Sequence, residues 1–251
     1  MEFGPRVQEG PNAGSSKSAR ADAWLGSDSV SVAVIPSFSA PGDSGTADAL
    51  AAMRSLFNVD SNVTTRWLLK VRKNYFIHLE YELHVPLLGE RPYNAFPCGF
   101  NLLIDALEAR LRFSLHHVIE ACLEQWRISP SQRVPNSWRY LVAFLWECYV
   151  SGISATRELI MACFRLSRGQ AGYYLVTRSE FHVSGALSSN KRWKSHFFFI
   201  SYRRGWSFLT EWTSRRVSSS VPVLSADETK LVEILRGILS VSRGVKDMNE
   251  A

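Results

Sequence analysis

The chain has 251 residues, 46% of them apolar, with a formal net charge of +6 and a sequence pI near 9.3. Its longest apolar run, Leu141 to Val150, is interrupted by Glu147 and falls far short of the roughly 20 residues that a membrane span requires. Residues 1–18 lack the apolar segment of a secretory signal, and the four cysteines, Cys98, Cys122, Cys148 and Cys163, are too scattered for a disulfide framework. An intracellular protein, nuclear or cytoplasmic and without a membrane partner, is therefore expected, with one sizeable core.

Residues 1–58 read as a disordered arm, because Gly, Pro, Ser and Ala dominate and periodicity is weak. Val30, Val32 and Val34 alternate briefly, as an isolated strand would. From Asp60, Val63, Trp67, Val71 and Tyr75 recur every four residues with Arg66, Lys70, Arg72 and Lys73 off that stripe, which predicts a basic amphipathic helix. Ile77 to Val85 then alternates apolar and polar residues as a half-wet strand does, and Pro86 stops it. Gly89 to Pro97 is a loop by its Gly and Pro content.

Phe100, Leu103, Ile104, Leu107 and Leu111 predict one helix, and the apolar positions from Leu115 to Trp126 predict a second. Ser129-Pro130-Ser131-Gln132 has the form of a capping box. The next stretch organises the chain. Asn136 is placed to cap a helix whose stripe is Trp138, Leu141, Val142, Leu145 and Tyr149, with Gly152 to end it, and Trp138 and Tyr149 read as core anchors. Ser154 then caps a helix with Leu159, Ala162, Cys163 and Leu166 on its apolar face.

After Gly169 to Gly172, Tyr173 to Val176 and Phe181 to Val183 are predicted to pair as a hairpin, with His196 to Tyr202 as a third strand. Finally, Ser225 caps a helix carrying Leu231, Ile234, Leu235, Ile238 and Leu239 on one stripe, a candidate oligomerisation seam resembling the start of a coiled coil. The predicted fold class is α+β, mainly α. It is a compact helical domain over 59–216, with a small antiparallel sheet or hairpin towards its C-terminal end. A disordered N-terminal arm precedes it, and residues 217–251 form a linker and amphipathic helix.

Charge is unevenly spread. Residues 165–216 hold ten Lys and Arg against only Glu180 and Glu211, which is either a solvated face kept for solubility or a surface for an anionic partner. Lys191, Arg192, Lys194, Arg203 and Arg204 are the candidate nucleic-acid-binding residues. They are interleaved with Trp193, Phe197, Phe198, Phe199, Tyr202 and Trp206, and aromatic faces can stack on unpaired bases of single-stranded RNA or DNA. Phe197 and Phe199 are assigned instead to the core.

Signatures of catalysis are weak. Asp43-Ser44-Gly45 matches the aspartic protease triplet, but its Pro, Gly and Ala surroundings suit a turn rather than flanking strands. Asp105, Glu108, Glu120, Glu124 and Glu147 fall on helical segments, where ion pairing and solvation account for them. His116, His117 and Cys122 lack the second cysteine pair of a zinc finger. No catalytic residue, metal ligand, cofactor or small-molecule substrate is predicted.

Several blocks follow one another in a distinctive order: Arg91-Pro92-Tyr93, Phe96-Pro97-Cys98-Gly99-Phe100, Leu107 to His116, Ile128 to Gln132, Pro135-Asn136-Ser137-Trp138-Arg139, and Ser189 to Lys194 leading into Phe197-Phe198-Phe199. In order and spacing they resemble the plant gypsy-type transposon domain family, over about half of the chain. The family usually has Gly where this chain has Arg110 and Arg192, and Pro where it has Ser114 and Leu209. The resemblance implies a transposon-derived, non-enzymatic protein with no catalytic residues to carry over, and a fragment of a longer reading frame that continues as a coiled coil. Structural or nucleic-acid-associating roles are expected, with self-association through the last helix as the alternative and a remnant nuclease or protease as the lesser one.

Overall fold

In the computed structural model, the segment Phe197–Tyr202 is the middle strand of a three-stranded sheet, and both of its neighbours come from far earlier in the chain. The structure describes residues 44–178, 182–183, 193–215, 217 and 220–242. In chain order the helices are α1 (Ser44–Ser55), α2 (Thr65–Asn74), α3 (Ile104–Glu108), α4 (His117–Trp126), α5 (Pro135–Val150), α6 (Arg157–Cys163) and α7 (Ala226–Val241). The strands are β1 (Tyr81–His84), β2 (Gly99–Leu103), β3 (Phe164–Gly169), β4 (Gly172–Thr177) and β5 (Phe197–Tyr202).

This corrects the predicted fold class. In place of one small sheet or hairpin near the C-terminal end, the described residues hold seven helices and two separate antiparallel sheets, β1-β5-β2 and β3-β4. β5 is apolar at four successive positions, Phe197 to Ile200, because both of its faces are covered. Leu83 lies opposite Ile200 on one side and Phe100 opposite Ile200 on the other. Gly99 is required where β2 meets β5, since a Cβ there would stand 2.4 Å from the Ile200 carbonyl oxygen.

Phe100 to Leu103, expected as the start of a helix, is strand β2, and all five β2 residues are buried. An apolar stretch broken only by Asn101 fits a buried strand as well as a buried helix, so periodicity alone misassigns it. The helix that follows is only α3, one turn long. The β3-β4 hairpin also differs from expectation. Leu166, read as helical, is in β3, which turns at Gln170-Ala171 into β4 with Leu166 opposite Leu175. His182 and Val183 are in no strand, and Phe181 lies outside the described residues, as do Ser29 to Phe38.

The arm over 1–58 is corrected too, because α1 lies within it and Met53 and Phe57 are buried in the core. The Phe57 ring packs edge-on against Trp193 at 5.3 Å and Trp212 at 5.0 Å. In α5, Trp138 and Leu141 are buried as expected, Val142 and Leu145 are only partly covered, and Phe144, outside the expected stripe, is buried in their place; Tyr149 is 78% exposed and Trp146 56% exposed, so Tyr149 is not a core anchor. Pro135 opens the helix and Val134 is its cap; Asn136 lies inside the first turn and accepts from Arg139 Nη1 at 2.8 Å instead of capping. Gly152, at φ 66°, ends the helix, with Ile153 N–H donating back to Cys148.

Candidate phosphate-binding cleft

Of the expected basic patch, Lys191 and Arg192 lie outside the described residues. Lys194 is half-buried, with its ammonium 5.3 Å from the Phe57 ring centre and 5.9 Å from that of Trp193, and burial pushes its pKa down. Arg203 donates from Nε and Nη2 to Glu82 Oε1 at 3.2 and 3.1 Å. Arg204 is exposed and has no ion pair among the described residues. Phe197 and Phe199 are in the core, as expected. Tyr202 and Trp206 are also spent: both rings join Tyr81, and Trp206 Nε1–H donates to the Cys98 carbonyl at 3.1 Å. The patch is thus not a ladder of free aromatic faces, because the neighbouring strands and turns use those rings as packing.

A different basic group gathers upstream. From Arg110 to His116, exposed and buried residues alternate strictly, so Leu111, Phe113 and Leu115 enter the core while Arg110, Arg112, Ser114 and His116 face outward. These side chains, with His117, line one side of a cleft of about 560 Å³. Leu111, Leu115 and Ile119, with Val142 and Leu145 of α5, supply its apolar wall. The two imidazoles stack with ring centres 4.4 Å apart.

Each part has a local cause. Arg110 adopts φ 68°, a left-handed conformation that favours glycine, and it turns the chain out of α3. Arg112 is braced by its Nη1, which donates to the Leu111 carbonyl at 3.0 Å, and by the Tyr75 ring, 5.6 Å from its guanidinium carbon. His116 caps α4 through Nδ1, which accepts from Val118 N–H at 3.3 Å and so leaves Nε2 as the protonated nitrogen of the neutral ring. The electrostatics are those of crowded cations. Burial and the Arg110 charge lower the Arg112 pKa; burial and the His117 ring lower that of His116.

Comparison with protein-family models, with curated proteins and with solved structures gives no match. Function therefore has to be argued from the chain's own groups.

The described residues hold no group of three or more His, Cys, Asp or Glu placed to bind a metal ion. Cys122 is buried, and burial pushes its thiol up to about 12, which makes it a packing residue rather than a partner for His116 and His117. Ser44 and Gly45 open α1, so the protease-like triplet runs into a helix instead of lying between strands; Asp43 is outside the described residues. No helix among the described residues is long and apolar enough to cross a membrane.

The candidate oligomerisation stripe already has a partner within the chain. Leu235 and Leu239 are buried, Leu231 and Ile238 are partly covered, and Arg236 Nη2 donates to the Ala162 carbonyl of α6 at 3.3 Å. Only Ile234 of the five stands out, at 52% exposed, because α7 lies on α5 and α6. The cleft itself had a sequence signal that helix periodicity masked. It is the alternation of Arg110-Leu111-Arg112-Phe113-Ser114-Leu115-His116, period two rather than 3.6.

Proposed function

We propose that this chain is a non-enzymatic, nucleic-acid-associating protein that engages the phosphates of single-stranded RNA or DNA with the cations around the Arg110–His117 cleft. The observation that carries this reading is that Arg110 and Arg112 share a cleft with His116 and His117, and no carboxylate pairs with either guanidinium among the described residues. Cations held together raise the local potential and attract polyanions, and neither arginine is paired although Glu120 stands beside His117. A transposon-like origin and a nuclear or cytoplasmic location belong to this proposal and rest on the sequence blocks.

Fluorescence anisotropy with a labelled single-stranded oligonucleotide tests it. Affinity is expected to fall steeply with salt, at about 0.7 log units per log unit of salt for each phosphate neutralised. Arg110→Gly combined with Arg112→Gln is expected to weaken binding about tenfold or more and to flatten the salt slope by about one unit for each phosphate that is no longer neutralised. Absence of binding at low salt, or an unchanged affinity in the double variant, rejects the reading.

A further inference from the structure

We infer that the cleft lined by Arg110, Arg112, Ser114, His116 and His117 is a receptor for a phosphate monoester, either the terminal phosphate of a nucleic-acid strand or that of a free nucleotide. For the strand end this rests on the nucleic-acid reading above; for the free nucleotide it stands without it.

Charge comes first. Two guanidiniums and two protonatable imidazoles on one cleft call for more than a single negative charge, and a monoester carries about −1.5 to −2 at neutral pH. An internal diester carries one. The donor types also match: guanidinium forks suit phosphate oxygens, the Ser114 hydroxyl adds a neutral donor, and the His116 cap leaves Nε2–H as a further one. His117 begins α4, a ten-residue helix, so the positive end of its peptide dipoles lies at the same place. The carboxylate that feels His117 is Glu120, one turn along α4, and burial raises its pKa.

The cleft has a volume of about 560 Å³ and opens to solvent, so it admits the end of a strand as well as a free nucleotide. The wall of Leu111, Leu115, Ile119, Val142 and Leu145 is apolar, so the group attached to the phosphate is covered by aliphatic carbon. A flat base face can lie against that wall with the polar sugar and base edges left to solvent, and the anion specifies orientation.

The test uses the full chain and one internally labelled oligonucleotide in three forms: with a 5′-phosphate, with a 3′-phosphate, and with hydroxyls at both ends. One of the phosphorylated forms is expected to bind about tenfold tighter or more than the hydroxyl form, a gain in keeping with charge-assisted hydrogen bonds. Arg110→Gly with Arg112→Gln abolishes that difference, while Arg204→Gln retains it. In a second arm, adenosine monophosphate and adenosine are titrated separately. Equal binding of all three oligonucleotides, with no preference for the monophosphate over the nucleoside, overturns the inference and leaves the nucleic-acid reading standing. Binding of the monophosphate without any oligonucleotide rejects that reading and supports the cleft as a nucleotide site. No binding in either arm overturns both.

Discussion

The guanidinium carbon of Arg133 lies 4.6 Å from the ring centre of Trp138 and 4.9 Å from that of Trp126. Arg133 is fully buried, its Nη2 donates to the Ser137 carbonyl at 3.4 Å, and its Nε and Nη1 have no hydrogen-bond partner. Burial lowers its pKa to about 9, so it is still charged at neutral pH. Two ring faces offset the desolvation of this cation in part, but an uncompensated buried charge is expensive. Arg133→Met removes the charge while filling the space between the rings, and it is expected to be neutral or to stabilise by about 1 to 4 kcal/mol. Arg133→Ala leaves a hole and is expected to cost about 2 to 5 kcal/mol. Urea unfolding of both variants measures this; a large loss in Arg133→Met would mean that the ring contacts outweigh the desolvation.

The short helix Pro130–Gln132 fastens a distant segment. Gln132 Nε2 donates to the Thr213 carbonyl at 2.7 Å, while its Oε1 accepts from Thr213 N–H at 3.0 Å. Trp212 Nε1–H donates to Ser131 Oγ at 2.8 Å, and Ser129 Oγ donates to the Thr210 carbonyl at 2.7 Å. Gln132→Ala strands the Thr213 N–H, while the Thr213 carbonyl keeps the Tyr173 hydroxyl at 3.3 Å, and is expected to cost about 1 to 3 kcal/mol, the penalty of one buried polar group left unpaired. The environment of Trp212 changes with it, so a shifted tryptophan emission spectrum in the folded variant is the second readout. An unchanged unfolding midpoint would show that solvent replaces Gln132 without loss.

Phe57 tests where the folded domain begins. Its ring is buried and braces Trp193 and Trp212, so Phe57→Ala is expected to cost about 3 to 5 kcal/mol, whereas a residue in a disordered arm would cost nothing measurable. A chemical denaturation midpoint within error of the unaltered chain would return residues 44–58 to the arm.

What the sequence made legible follows the range of each interaction. The α2, α4 and α5 helices, the capping box at Ser129 and the end of α5 at Gly152 all depend on neighbours within one or two turns, and local patterns reveal them. The pairing of β5 with β1 and β2 spans about a hundred residues and leaves no local trace, so β2 was readable only as an apolar run. Met53 and Phe57 are two apolar residues at helical spacing inside a segment whose composition is otherwise that of a disordered chain. Averaging concealed them. For the candidate site, charge density pointed to residues 191–204, yet Lys194 and Arg203 are engaged with rings and with Glu82, and the sequence carries no record of such pairings.

Backbone conformation separates two glycine-related substitutions. Arg110→Gly places glycine at φ 68°, where its freedom suits the turn, so stability is expected to stay within about 1 kcal/mol of the unaltered chain even though a cation is removed. Gly99→Ala puts a methyl carbon 2.4 Å from the Ile200 carbonyl oxygen, which β5 cannot move aside without breaking its pairing to β2, and a loss of about 2 kcal/mol or more is expected. Thermal unfolding of the pair gives the ordering; Gly99→Ala at least as stable as Arg110→Gly would contradict the packing of β2 against β5.

The stacked imidazoles predict the pH behaviour of the cleft. His116 has its pKa lowered, first by burial and then by His117, although solvent reaches the side chain. A base whose pKa is lower when folded binds its proton more readily when unfolded. The unfolded chain therefore takes up protons first as pH falls through its ordinary value near 6.5, and stability declines from there down to the folded pKa, below which this contribution is constant. His116→Gln is expected to flatten the stability profile over that window. Phosphate binding has the opposite sign. An anion in contact with the rings favours their protonated forms, so affinity rises as pH falls into the same window, until the phosphate itself takes up its second proton near pH 6. Titrating adenosine monophosphate into the unaltered chain and into His116→Gln between pH 5 and 8 measures the linkage. The same pH profile in both chains, with the phosphate's own ionisation common to the two, would show that the His116 imidazole does not face the anion.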